Sequence, residues 1–450
     1  MKNPIKDYSI KLLFLLFCLL FTLQGVEAQK MDGIERDRFK TMLSNIKKAV
    51  KDDYFDPNYK GINLDERFKK ASDRLSEVNT AGEAMGVIAQ VLLDFDDSHL
   101  FFYPPSTNVG VEYGWRMQMH GDKCFVTIVK PKSDAEAKGL KVGDQIVSIQ
   151  GFRPTRKDLW KMNYYFNVVG KRSNMALSVL SPGETEPRQL QIDAKIKQKE
   201  KVITKEQFLY DYFKQDTRSA VEFNYFKYVG GTTVWKMPTF GIEPENIDTI
   251  MGKLKGTSLV LDLRGNGGGL VVTLERLAGY MFDKDLLIAE LKGRKEMKPQ
   301  KSKTKGSEAY AGKLVVLVDH ESGSAAEIFA RLVQLEKRGI VVGDVSAGAV
   351  MQSRGFVTAT GASGEVLYGA SITNADVIMS DGKSLEHVGV QPDYVVIPTG
   401  EDVAKQRDPA LAKALELAGT NVSSDDAGKF FRYKWTENTK KEEIIEIEVK

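Results

Sequence analysis

A chain of 450 residues with 42% hydrophobic and 28% charged side chains is long enough for two or three domains with cores of their own, which excludes a disordered or low-complexity protein. Its 64 basic residues against 61 acidic ones leave a net charge of +3, too weak a field to draw nucleic acid or an anionic membrane surface, so neither is expected as a partner.

The first eleven residues carry lysines, and the apolar run Leu12 to Leu23 that follows is too short to span a bilayer. With the small-x-small pattern Val26-Glu27-Ala28 it reads as a signal peptide over residues 1–28, cleaved near Ala28, giving an exported chain in the periplasm or outside the cell. Cys18 lacks the small preceding residue of a lipoprotein signal. No later segment reads as a transmembrane helix. Cleavage leaves Cys124 as the one cysteine, which rules out an intramolecular disulfide and predicts a small buried hydrophobe.

Residues 29–105 form a small helical region, with Phe39, Met42, Leu43, Ile46 and Val50, then Met85, Ile88, Val91 and Leu92, at helical spacing. It closes at Asp96-Asp97-Ser98-His99, after which Leu100 to Tyr103 predicts a strand ended by Pro104-Pro105. From about 106 to 200 the texture changes to short strands and turns, with helical stretches at Ser133 to Lys138 and around Arg156 to Phe166. The run from Ser133 through Gly139, Gly143-Asp144 and Ile146 to Gly151 resembles a PDZ domain of the bacterial protease type. That likeness makes Tyr113-Gly114-Trp115 the candidate peptide-binding loop, whose backbone N–H groups would receive a terminal carboxylate while the peptide adds as a strand. A packing module with a closed groove is the bland alternative.

Residues 201–420 alternate buried strands with helices, the pattern of an α/β core: Ser258 to Arg264, Gly312 to Asp319 and Ile340 to Gly343 are strands, and Asp408 to Leu417 is an amphipathic helix. Residues 421–450 read as a charged tail.

Ser324 follows the second of these strands and stands at a helix start, where the positive end of the helix dipole favours an alkoxide and a neighbouring oxyanion. Ser324-x-x-Glu327 is equally a capping box that needs no chemistry. The glycine-rich turn Asp262-Leu263-Arg264-Gly265-Asn266-Gly267-Gly268-Gly269 lets a backbone N–H approach a ligand oxygen closely. Its spacing is not that of a phosphate-binding P-loop.

That turn, Ser322-Gly323-Ser324-Ala325-Ala326-Glu327-Ile328 and Gly389-Val390-Gln391-Pro392-Asp393 occur in the order seen in the C-terminal processing, or tail-specific, peptidases. With the PDZ segment the resemblance covers roughly residues 80 to 420. It implies a crotonase/ClpP-like α/β core with an inserted PDZ domain, Ser324 as nucleophile, and an oxyanion hole from the backbone N–H groups of Gly268 and Ala325. It implies no cofactor and no metal, and peptide or protein substrates recognised by a C-terminal carboxylate. Typical members use a Ser–Lys dyad, but Ala349 stands where the lysine belongs, in Gly343-Asp344-Val345-Ser346-Ala347-Gly348-Ala349. What remains is similar to the tricorn protease arrangement: His99 as general base, Ser98 as a hydrogen-bonding link, and Glu386 orienting that link. Of the other histidines, His320 lies near Ser324 in sequence, His387 adjoins Glu386, and His120 sits in a turn of the PDZ-like segment. Adjacent residues on a strand point to opposite faces, so Ser98 and His99 act together only if the chain bends at Asp96-Asp97. No ligand partner at suitable spacing supports a metal at those two aspartates. The alternative function is a catalytically inactive protein that binds peptides through the PDZ groove; acyl-CoA chemistry on a crotonase-like core fits poorly with export.

Overall fold

The computed structural model describes residues 31–107, 109–198, 204–205, 208, 225–361, 366–432 and 446–448. The signal-peptide assignment over 1–28 lies outside the described residues. Among them, no helix is long and apolar enough to cross a membrane.

Three α-helices come first among the described residues: α1 (Gly33–Asp53), α2 (Leu64–Glu77) and α3 (Ala81–Leu93). Each begins on a capping side chain, Asp32, Asn63 and Thr80, which accepts from a backbone N–H three residues on. Their apolar faces bury Phe39, Ile46, Leu75, Ile88 and Leu92 in one cluster. Strand β1 (Phe101–Tyr103) follows.

The chain then enters a separate unit along β2 (Val109–Glu112) and passes through β3 (Trp115–His120), β4 (Lys123–Val129), β5 (Gln145–Ile149), β6 (Asn174–Leu180) and β7 (Arg188–Asp193). It leaves along β8 (Lys195–Gln198), which pairs antiparallel with β2. The unit is therefore an insertion closed by its own two-stranded stalk. Its five strands run in spatial order β3-β4-β5-β6-β7, leaving β3 as an edge, and Cys124 is buried in its core as expected.

The remainder builds a seven-stranded sheet from β9 (Tyr225–Val229), β10 (Thr232–Lys236), β11 (Ser258–Asp262), β14 (Lys313–Val318), β15 (Ile340–Gly343), β18 (Tyr394–Val395) and β19 (Glu446–Glu448), where β12 and β13 belong to a second sheet introduced below. The order is β18-β15-β14-β11-β10-β9-β19, and β10, β11, β14, β15 and β18 run parallel. Successive residues of β11 explain its unbroken apolar run: Leu259 and Leu261 face one core and Val260 the opposite one. Helices Pro244–Met251, Val271–Met281 and Ala325–Leu335 cover the first face and Pro409–Ala418 the second.

Two features depart from the sequence expectation. A second sheet of β1, β12 (Leu286–Lys292), β13 (Gln300–Ser302), β16 (Met351–Thr360) and β17 (Val366–Met379) stands beside the first, and the N-terminal helices pack on its β17 through Tyr368, Ala370 and Ile372. The expected tail also contributes structure, since β19 adds to the edge of the large sheet alongside β9. The alternation Glu446-Ile447-Glu448 is a strand signal that the surrounding charges obscured.

Candidate active site

Strand β14 ends at Val318, and six residues later Ser324 precedes the helix Ala325–Leu335 with φ 53° and ψ −118°. A serine in that region is strained by roughly 1–3 kcal/mol and persists only where its surroundings fix it. Here they do. The Asp319 carboxylate accepts from the N–H groups of Gly265, Glu321 and Ser322 at 2.9, 3.0 and 3.1 Å, and Gly323 N–H donates to Asn266 O at 2.9 Å. The result is a sharp strand-to-helix turn that lifts the hydroxyl-bearing residue to the C-terminal end of the parallel strands.

Gly268, at φ +99°, lies against this turn: a Cβ there would come within 2.6 Å of Ser324 Cβ and 3.1 Å of Ala325 N. Both expected oxyanion groups are thus beside Ser324. The Ala325 N–H is the first of its helix and has no intrahelical carbonyl to serve. The Gly268 N–H already donates to Asn266 Oδ1 at 2.9 Å, so it reaches an oxyanion only by sharing that bond. Asn266, fully buried, is held in turn by donating to Met237 O at 2.9 Å.

Ser98 and His99 arrive from the N-terminal region and Glu386 from the segment after β17. Ser98 Oγ lies 2.8 Å from His99 Nδ1 and donates to Glu386 Oε2 at 2.8 Å, while Ser98 N–H donates to Glu386 Oε1 at 2.9 Å. The bend that lets both side chains face one way comes from Asp96, at φ 47°, and from Asp97, whose carboxylate accepts from His99 N–H at 3.0 Å. Asp97 is itself buried, taking hydrogen bonds from Thr373 Oγ1 at 2.7 Å and Tyr54 OH at 3.0 Å. Burial, followed by the charge of Asp97, pushes the Tyr54 hydroxyl well above the ordinary tyrosine range, so it stays a donor. Asp97 thus shapes the bend that the sequence requires at Asp96-Asp97. Among the described residues no cluster of His, Cys, Asp and Glu suits a metal ion.

The two halves of the site meet at residues 349 and 350. Ser324 N–H donates to Ala349 O at 2.9 Å, and the next amide, Val350 N–H, donates to Glu386 Oε2 at 2.9 Å. One peptide unit therefore separates Ser324 from the Glu386–Ser98–His99 chain. The other histidines stand apart from that chain or behind it. His320 Nε2 accepts from Met119 N–H at 3.4 Å, and burial pushes His120 down to about 4. His387 Nε2 lies 2.9 Å from Asp96 O and 3.6 Å from Glu386 Oε1.

The inserted unit docks on both loops of the site. Gln118 donates to Asp319, Gly121 N–H donates to Asp344 Oδ2 at 2.8 Å, and Arg156 pairs with the same oxygen at 2.8 Å. Of the expected peptide-binding residues, Tyr113 has its ring buried in the unit's core and its hydroxyl held at 3.1 Å by both the N–H and the carbonyl of Arg172, which leaves the loop's backbone N–H groups as the part that the expectation concerns. The Gly114 turn, at φ +76°, is closed by Lys130 N–H donating to its carbonyl at 2.8 Å, and Trp115 begins the edge strand β3.

The model of peptidase family S41 matches residues 232–396, the stretch from β10 to β18 that contains Ser324, Ala349 and Glu386. The "Probable CtpA-like serine protease" of Staphylococcus haemolyticus is 23% identical over 434 residues, covering 88% of this chain and 76% of the relative. The "Tail-specific protease" of Haemophilus influenzae is 26% identical over 308 residues, covering 65% of this chain and 42% of its own length. The solved structure of mature CPAF shares the fold, with a TM-score of 0.61 at 13% identity over 82% of this chain and 94% of that one. A strand-turn-helix serine beside a glycine-rich turn, inside a matched S41 region and among relatives named as a CtpA-like serine protease and a tail-specific protease, supports a serine peptidase of the C-terminal processing superfamily.

Proposed function

We propose that this chain is an exported peptidase that cleaves peptides or protein C-terminal regions through an acyl-enzyme on Ser324, with His99 as the general base. The observation that carries the reading is the hydrogen-bonded chain Glu386–Ser98–His99, set one peptide unit from Ser324, in a site whose lysine position holds Ala349. Ser98 Oγ donates to the Glu386 carboxylate and so accepts from His99, which fixes the imidazole proton on Nδ1 and leaves Nε2 as the basic nitrogen. His99 takes the Ser324 proton as Oγ attacks the carbonyl carbon. The tetrahedral oxyanion forms beside the Ala325 N–H and the Gly268 turn, at the positive end of the helix. Its collapse expels the amine, which receives the proton from His99, and water repeats the sequence to release the acyl group.

The inserted unit is read as a PDZ domain whose edge strand β3 receives the substrate. Trp115 supports this: its Nε1–H is buried and has no acceptor among the described residues, as a peptide carbonyl or carboxylate would supply. The test is Ser324→Ala, which should abolish both peptide turnover and covalent labelling by a fluorophosphonate. Labelling that survives the substitution would remove Ser324 from its role; peptide binding with no turnover by the unaltered protein would favour a binding function instead. Export is checked by sequencing the mature N-terminus, expected near Gln29.

A further inference from the structure

Glu327 does more than a helix cap requires. A capping-box glutamate reaches back to one backbone N–H and is ordinarily in solvent. Glu327 is fully buried, and its two oxygens take four hydrogen bonds. Oε2 accepts from Ser324 N–H at 3.1 Å and Ala349 N–H at 2.9 Å; Oε1 accepts from Gly348 N–H at 2.8 Å and Ser346 Oγ at 2.6 Å. Four donors fill the acceptor capacity of a carboxylate, so no lone pair remains to act as a base. Three of the four belong to the loop that lacks the lysine. The amide after them, Val350 N–H, goes to Glu386. Three consecutive amides are therefore divided between two carboxylates, one on the Ser324 helix and one holding Ser98 and His99.

We infer that Glu327 is a positioning residue for acyl transfer: it fixes the Gly348–Val350 segment so that Ser324 and the His99 relay are held in register through the backbone, at the position that a catalytic lysine would otherwise occupy. The inference rests on the Ser324–His99 reading above. Burying a carboxylate is costly unless it is fully hydrogen-bonded, and a fully bonded one fixes every group that donates to it. A glutamine in its place keeps the shape but turns an NH₂ group toward two donors, so the loop must shift.

The experiment is saturable labelling by a fluorophosphonate, in which Ser324 Oγ attacks phosphorus and expels fluoride, and which separates the maximal rate of that phosphonylation (kinact) from the affinity for the probe (KI). Glu327→Gln should lower kinact about 100-fold with KI within about twofold, because one or two misdirected hydrogen bonds near a charged group amount to about that factor. Wild-type kinact in Glu327→Gln, with Ser324→Ala unlabelled, overturns the positioning role and leaves the nucleophile standing. Labelling of Ser324→Ala overturns the reading beneath it. Should Glu327→Gln show no cooperative melt, Ser346→Ala decides, since it removes one donor and leaves the carboxylate: a lower kinact at unchanged KI supports the inference, and an unchanged kinact overturns it.

Discussion

Replacing Ser98 by alanine isolates the link between base and carboxylate. The hydroxyl stands 2.8 Å from His99 Nδ1 and 2.8 Å from Glu386 Oε2, so the substitution deletes two hydrogen bonds, one of them to a charged group. The backbone anchors stay: Ser98 N–H still donates to Glu386 Oε1 at 2.9 Å, and Asp97 still shapes the turn through His99 N–H at 3.0 Å. A neutral bond contributes about 0.5–1.5 kcal/mol and one to a charged group about 1.5–3 kcal/mol, together about 2–4 kcal/mol. If that stabilisation is felt mainly when His99 carries the extra proton, acylation should slow roughly 30- to 1,000-fold at 1.36 kcal/mol per decade. The assay is the rate of fluorophosphonate labelling, with peptide turnover as a second readout and the thermal melt as a control. Ser98→Thr, which keeps the hydroxyl, should recover most of the rate. Because Ser98 and Glu386 act as one unit, Ser98→Ala combined with Glu386→Gln should be little worse than Glu386→Gln alone. A Ser98→Ala rate within twofold of wild type, or fully additive losses, would refute the relay.

Gly268→Ala should abolish labelling, because its Cβ would meet Ser324 Cβ at 2.6 Å on a backbone at φ +99°; an active variant would show that the turn lies elsewhere when substrate binds. Asp408→Ala should cost about 3 kcal/mol in denaturant unfolding, since the Arg264 guanidinium loses its 2.8 Å partner and is left partly uncompensated beside buried Asp262. Burial pushes Glu327 up from 4.5 to about 7, against the hydrogen bonds that favour its charge. Between those two values the folded state keeps a proton that the unfolded state releases, so this group's contribution is complete below pH 4.5 and lost as pH rises through about 7. Glu327→Gln does not titrate, and its stability relative to wild type should therefore rise by up to about 3 kcal/mol from pH 4 to pH 8 in paired urea melts. A difference independent of pH would refute the raised value.

The parts of the fold legible in the sequence are those whose environment is set locally. The strands at 258, 313 and 340, the helices that follow the first two, and the helix at 409 all carry uninterrupted apolar runs or helical spacing. The second sheet was not legible, because β17 is buried on both faces along most of its length and shows no alternation to betray a strand. The partner of the Tyr113 hydroxyl was not legible for the opposite reason: the local motif places Tyr113 in a loop, and the Arg172 backbone that engages its hydroxyl is distant in sequence. Ser98, His99 and Glu386 could be linked only through a resemblance, not from their spacing. Their geometry depends on Asp97, which Thr373 and Tyr54 hold from segments far away in the chain.

Glu327 shows how far a correct local reading can fall short. Its spacing from Ser324 is that of a cap, and it does reach the Ser324 N–H. What the spacing cannot convey is that Gly348, Ala349 and Ser346 turn their donors onto the same carboxylate. A lysine at 349 would bring a base to Ser324 by its own side chain. With a methyl group there, the proposed mechanism draws its base from the N-terminal region, more than two hundred residues away in sequence, and makes the loop a spacer whose backbone sets the distance. The charge that holds this spacer is the one whose burial pushes Glu327 upward, so the ionised form that best orders the loop is also the form that burial opposes. Loss of loop order and protonation of His99 then fall on the same, acid side of the pH profile, while the stability term of Glu327 runs the other way. An acid-side loss of activity without a matching loss of stability is the signature expected of a site in which a buried carboxylate serves geometry at the expense of the fold.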